Sequence, residues 1–319
     1  MSAKRPEAEN ELLQPSAWPE ALLLAADDPR QQAEPLVVPE LSRDRRKACP
    51  PYRRLAIWSS YEGTNWSGWQ RQENAPSVQA CLEAALSRIC QEPITLHACS
   101  RTDAGVHARC HIAHFDTTCR IPAERLPLAL GAFLPPSISV LASWEVAADF
   151  HARFDTVEKT YSYQIWNSRQ RSPFLSRYSY RFFQGDYLDV EAMQEAAQKL
   201  KGQHDFSSFR AAGSETKGSI RELYKLQVER QDLGALQGEG LEGQMLVVTV
   251  TGSGFLYNMM RIIAGTLLEV GQHQRSPEEV EALLYARDRS QAGVTLPAFG
   301  LCLEAVRYRR PRIKADTEG

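Results

Sequence analysis

Two apolar runs separated by six polar residues most constrain how this chain can fold. Ile94 to Cys99 reads as a short buried strand, and Val106 to Phe115 as a second apolar segment. Between them lies Ser100-Arg101-Thr102-Asp103-Ala104-Gly105. Gly105 permits a positive φ, so the chain can turn sharply there and leave Asp103 at a strand end. Loops held on rigid strands commonly carry chemistry. An ordinary Asp-x-Gly turn, its carboxylate capping its own backbone, has the same residues. The turn alone does not separate these readings, and Arg101 beside it adds little.

The chain has 319 residues, 43% of them hydrophobic and 24% charged, with a net charge of −2. These values fit a globular protein of about two domains. Residues 1–40 hold three basic and eight acidic side chains, so they carry −5 and the remainder +3. Any nucleic-acid site must therefore be a local basic patch. Seven cysteines without a Cys-x-x-Cys pair point to reduced thiols and a cytoplasmic protein. Leu22 to Ala26 is too short and too acid-flanked for an export signal or a membrane span. Residues 1–50 are rich in Pro, Glu, Gln and Ala and read as a disordered or loosely attached extension. Within them Arg43-Asp-Arg-Arg-Lys47 is a solvated linker or a phosphate contact.

Arg54 to Tyr61 is a strand. The loop after it, Glu62 to Gln72, carries Trp66, Trp69 and Gln70 between glycines, a composition that suits either stacking on a base or plain surface packing. Ser77 caps a helix to about Ile89. His107, His111 and His114 would share one face of a helix. The run follows a Gly turn and alternates, so it reads as a strand that splits the three, and no Cys or acidic spacing completes a metal site. Pro122 to Phe133 is an expected helix and Ser137 to Trp144 a strand. Lys159 to Asn167 is a strand with Tyr161 and Tyr163 on one face, where sheet packing accounts for Tyr163. Asp189 to Lys201 is an amphipathic helix stopped by Gly202. A polar loop from His204 holds Arg210, Lys217 and Arg221, and strands Ile220–Arg230 and Gln244–Thr251 form a hairpin.

Gly252 to Gly265 enters a helix from a Gly-rich turn but lacks the Lys and spacing of a Walker motif. Apolar residues surround Arg261 on this helix, so it requires an acidic partner, for which Asp103 is a candidate. Residues 277–288 form another helix and Leu301 to Tyr308 a closing strand. The pattern is α+β: two similar halves, 51–153 and 154–310, with mostly antiparallel sheets packed by helices, and a tail at 311–319.

Taken in order, these pieces resemble the tRNA pseudouridine synthase A family. The matching runs are Tyr61 to Gln72, Val78-Gln79 with Glu83, Ser100 to Ala108, Ala113-His-Phe115 and Phe150 to Phe154. Lys159 to Tyr163, Asp205 to Ala211, Phe255 to Arg261 and Pro297 to Leu301 complete them, covering about 53–309. The resemblance implies the pseudouridine synthase fold, with the active-site cleft between two α/β-sandwich-like domains. It implies isomerisation of uridine to pseudouridine in tRNA, at positions 38, 39 and 40 of the anticodon stem-loop. The enzyme would be a homodimer needing no cofactor or metal, with no membrane association. Asp103 falls on the catalytic aspartate, Tyr161 on the active-site tyrosine and Arg261 on the arginine that pairs with the aspartate. Arg101 falls on an arginine that helps displace the base. The chain departs from the family where Ser100 replaces a frequent Gly, Cys110-His111 a Gly-Gln, Trp66 a Phe and Glu62 an Asp.

The chemistry suits these residues. A carboxylate nucleophile can hold one fragment while the other turns, either at C6 of the base or at the sugar by way of a glycal. Arg261 would favour the ionised carboxylate by charge pairing, and Tyr161 could take the proton from C5 or C2′. A uridine in a stem must leave its stack, which costs a few kcal/mol. Trp66, Trp69 and Gln70 are candidates to receive the base, and Arg153, Lys159, Arg210, Lys217 and Arg221 to meet the phosphates. Three other readings remain: a catalytically silent RNA-binding or tRNA-chaperone protein of the same fold, a synthase acting on other tRNA uridines, and a metal hydrolase built on the histidines.

Overall fold

A computed structural model describes residues 18–31, 51–184, 186–213, 218–234 and 240–309. The cluster at Arg43, Lys217 and the tail lie outside the described residues. Ten strands form one sheet, and its main path runs β4 (Ile138–Glu145), β1 (Arg53–Tyr61), β3 (His107–Thr117), β10 (Leu301–Tyr308), β5 (Thr156–Asn167), β9 (Gln244–Gly252), β8 (Ile220–Gln231), β7 (Gly202–Asp205). Two strands lie off that path: β2 (His97–Ala98) pairs β3, and β6 (Tyr180–Phe182) pairs β5. The pairings are antiparallel except β3 with β10 and β5 with β6.

Each half places its long first strand between two antiparallel neighbours, β1 between β4 and β3, and β5 between β10 and β9. The halves meet where Cys302 and Leu303 run parallel to His107 and Ala108. Asp103, on the loop before β3, is thereby brought beside Tyr161, which pairs with Leu303. One continuous apolar core runs beneath both halves, from Leu55, Ile57 and Phe115 through Ile165 to Val248 and Ile262.

The helices begin where side chains satisfy their free N–H groups. Ser77 Oγ accepts from Ala80 N at the head of α1 (Val78–Cys90), and Asp189 Oδ1 from Ala192 N at the head of α3 (Val190–Lys199). Ser276 and Glu279 form a reciprocal capping box on α5 (Pro277–Ala286). The helix α4 (Met259–Gly271) is buried nearly all round, as its unbroken apolar composition requires.

Three expectations differ in detail. The helix expected over 122–133 is a 3-10 turn, Ala123–Arg125, followed by a short α2 (Leu126–Gly131), with Pro127 in its first turn. Proline lacks the N–H that would continue the preceding turn. The strand expected over 94–99 pairs only at His97–Ala98. The extension expected to be loosely attached is, at 18–31, folded onto the body: Leu22 and Leu24 are buried, and Leu24 N donates to Tyr308 O at 2.9 Å. Its Trp18 ring packs against Trp144, Phe150 and Tyr308. No helix of the described residues is long and apolar enough to cross a membrane.

Candidate active site

The loop between β2 and β3 is held by backbone on both sides. Cys99 N donates to Ile112 O at 2.8 Å, Trp69 N to Thr102 O at 3.0 Å, and Gly105 N to Trp66 O at 3.2 Å. Val106 N donates to Asp103 O at 3.1 Å, closing the turn through Gly105 at φ +79°. The Tyr61 and Thr102 hydroxyls meet at 2.7 Å, and His111 Nε2 donates to Ser100 O at 3.0 Å. Gly68, at φ +94°, lies so close that a Cβ there would sit 2.6 Å from Thr102 O. The glycine-punctuated loop after β1 is therefore the clamp that fixes the Asp103 turn.

Asp103 opens into a cleft of about 850 Å³, lined also by Gln70, Arg101, Arg153, Lys159 and Tyr161. No hydrogen bond from a described residue reaches the Asp103 carboxylate. Burial pushes its pKa up, and the positive charge of Arg261 pulls the other way. The expected ion pair with Arg261 is not formed: Arg261 Nε donates to Leu296 O at 2.6 Å and Nη1 to Asn258 Oδ1 at 2.7 Å. Those neutral acceptors hold the guanidinium on α4, so its field reaches Asp103 only through space. The expectation that Arg261 depresses the Asp103 pKa by direct pairing is corrected accordingly: desolvation outweighs the unpaired Arg261 charge.

Tyr161 is buried, with its hydroxyl 3.1 Å from Ser100 Oγ and its ring edge-on to Phe255 at 5.0 Å. Burial raises its pKa, so the phenol is neutral. Lys159, on the same face of β5, donates Nζ to Cys99 O at 2.6 Å, and burial lowers its pKa. It supports the loop from the cleft floor. Tyr163 donates to Pro297 O at 2.7 Å and is a packing residue, as expected.

The remaining candidates divide between the cleft and other surfaces. Trp69 lies against the cleft, but its indole is 2% exposed and stacks on His111, with centroids 3.8 Å apart, which leaves little of its face open to a base. Its neighbour Gln70 is exposed on the cleft. Trp66 is not among the cleft-lining residues and donates Nε1 to Ser137 Oγ at 3.2 Å. Arg210 and Arg221 also lie outside the lining, and burial, with the charge of Arg210, lowers the Arg221 pKa. Ser100, Phe255 and Asn258 belong to the site although no role was read for them. All three stand inside motif runs, which was the available signal.

The histidines are engaged separately. His107 Nδ1 accepts from Gly63 N at 3.0 Å while Nε2 donates to Arg177 O and Phe299 O. His114 Nδ1 accepts from Ala152 N at 3.2 Å. Burial pushes the His111 pKa down to about 3 and the His114 pKa down to about 2. Among the described residues, no group of three or more His, Cys, Asp or Glu is arranged to hold a metal ion.

A half-buried carboxylate and a buried, neutral tyrosine thus line one roomy cleft beside the join of β3 and β10. The family model described as tRNA pseudouridine synthase matches residues 57–155 and 196–309, and the chain belongs to that family. It is 43% identical over 256 residues to tRNA pseudouridine synthase A of Clostridium acetobutylicum, covering 80% of this chain and 100% of that protein. It is 46% identical over 256 residues to tRNA pseudouridine synthase A of Moorella thermoacetica, covering 80% and 99%.

Proposed function

We propose that this protein isomerises uridine to pseudouridine at positions 38, 39 and 40 of the tRNA anticodon stem-loop, with Asp103 as nucleophile. The observation that carries the reading is the joint presence of Asp103 and Tyr161 on one cleft, in a chain of this family. The reaction breaks N1–C1′, joins C5 to C1′, moves one hydrogen from C5 and returns one to N1. Nothing is added or lost, so no redox or phosphoryl-transfer cofactor is needed. The Asp103 carboxylate bonds covalently to its substrate while the base turns. Tyr161 lies against the base. As a neutral phenol it takes the C5 proton only while passing on its own, and the Ser100 hydroxyl, which lines the open cleft, relays that proton to solvent by giving up its own. Arg261 acts by its charge, Arg101 on the displaced base, and Gln70 and Arg153 at the cleft rim. We further propose a cytoplasmic homodimer.

The test is tritium release from tRNA labelled at C5 of uridine, comparing the wild type with Asp103→Asn. Release by the wild type and none by the variant, with tRNA binding retained in both, is the expected result. Equal release would remove Asp103 from the mechanism. Binding without release by the wild type would indicate a silent RNA-binding protein.

A further inference from the structure

We infer that the arginine-rich loop between β5 and β6 is a second RNA surface, outside the cleft, that takes phosphates of the tRNA bound in it. The inference rests on the tRNA reading above. Ser168 to Arg181 holds four arginines, Arg169, Arg171, Arg177 and Arg181, and no acidic residue. All four are exposed, and none forms an ion pair with a described residue. Arg171 and Arg177 have no hydrogen bond from their guanidinium groups to any described residue. Single exposed cations are usually only solvated. Four together repel one another unless an anion compensates them, and their clustering is therefore informative.

Two further observations point to nucleic acid. Phe174 is 80% exposed and Tyr178 46% exposed, interleaved with the arginines. Cations alternating with exposed rings suit a phosphate chain and its unstacked bases. Beside them runs a groove of about 300 Å³, walled by Arg171, Arg181 and Tyr180 over Trp166, Leu175 and Phe299. The loop is also braced. Leu175 O accepts from Tyr178 N and Ser179 N, and Arg181 Nη1 donates to Ser168 O and Arg169 O at 3.2 and 3.0 Å. Glu242, the acid nearest in hydrogen-bond terms, meets the loop through its backbone groups.

The loop is tied to the catalytic turn. His107 stands four residues after Asp103, and its Nε2 donates to Arg177 O at 2.9 Å and Phe299 O at 3.1 Å. A uridine drawn into the cleft leaves its flanking stem outside, where the arginines coupled to the Asp103 loop can meet the backbone. Such contacts fix register without reading sequence.

The experiment is equilibrium binding of unmodified tRNA across a salt series, comparing the wild type, the Arg171→Ala/Arg177→Ala double variant and the corresponding double Lys variant. The expected results are about tenfold weaker binding by the Ala variant near 0.1 M salt, a salt slope shallower by about two, and recovery in the Lys variant. Unchanged affinity and slope would overturn the inference and leave four solvated cations. A changed oligomeric state in sedimentation with an unchanged slope would also overturn it, as a protein-contact surface. Binding is read without turnover, so an inactive wild type that keeps this slope difference would defeat the isomerase reading and leave the RNA surface standing.

Discussion

The hydroxyls of Ser100 and Tyr161 meet at 3.1 Å across the junction of the two halves. That contact orders the tyrosine. One neutral hydrogen bond is worth roughly 0.5–1.5 kcal/mol, or about two- to tenfold in rate if it acts only in the transition state. Ser100→Gly should therefore lower kcat for tritium release several-fold with little change in KM, and Ser100→Thr should recover most of it. An equal rise in KM alone would show that the serine serves binding.

The separation of Asp103 from Arg261 predicts a pH effect. The proposed mechanism needs the Asp103 carboxylate ionised, and burial has raised its pKa, so activity should be lost on the acid side above the ordinary carboxylate value of 3.8. Arg261 opposes that rise by charge alone. Arg261→Gln removes the opposition and should move the acid limb of kcat/KM further up. Arg261→Lys keeps the charge and should leave the limb near its wild-type position. A limb that does not move in the Gln variant would mean that the charge does not reach Asp103.

Two buried histidines make folding pH-dependent. The folded pKa is pushed down to about 3 for His111 and to about 2 for His114, below the unbound value of 6.5. The unfolded chain therefore binds more protons below about pH 6.5, and stability falls as pH falls through that window. Each histidine contributes on the order of 2 kcal/mol of loss by about pH 5. Urea unfolding of the wild type from about pH 7 to 5 should show this decline. His114→Gln, which keeps an acceptor for Ala152 N, should flatten it by about half. A slope unchanged in the variant would locate the pH dependence elsewhere.

Local chemistry was legible and long-range chemistry was not. Ser77 announced its helix because a cap is a contact between near neighbours in sequence. The turn around Asp103 and the shared face of Tyr161 and Tyr163 followed equally from strand alternation and a glycine. The partners of Arg261 did not follow: Leu296 lies 35 residues away, and nothing in an apolar helix says whether its arginine meets a carboxylate or a carbonyl. Trp69 and Gln70 differ for the same reason. A loop has no periodicity to say which of two adjacent side chains turns inward, and the imidazole of His111 is what captures the indole. The parallel join of β3 to β10 links residues almost two hundred positions apart and has no local signature.

The segment 18–31 lies outside the residues that the family model matches, yet it clasps both halves. Trp18 meets Trp144 at 5.5 Å and Phe150 at 5.1 Å on the first half, and Tyr308 at 5.3 Å on the second. Twelve residues on, Arg30 pairs with Glu158 at 2.6 Å and lies 4.6 Å over the ring of Tyr224. None of these residues lines the cleft. The clasp should therefore serve stability. Full truncation of a buried Trp costs about 3–5 kcal/mol, and Trp18 is only partly buried, so Trp18→Ala should cost roughly 2–3 kcal/mol. Thermal unfolding should move down by several degrees, while tritium release well below the transition keeps its wild-type rate. A loss of activity at low temperature with an unchanged transition would instead show that the segment serves turnover rather than stability.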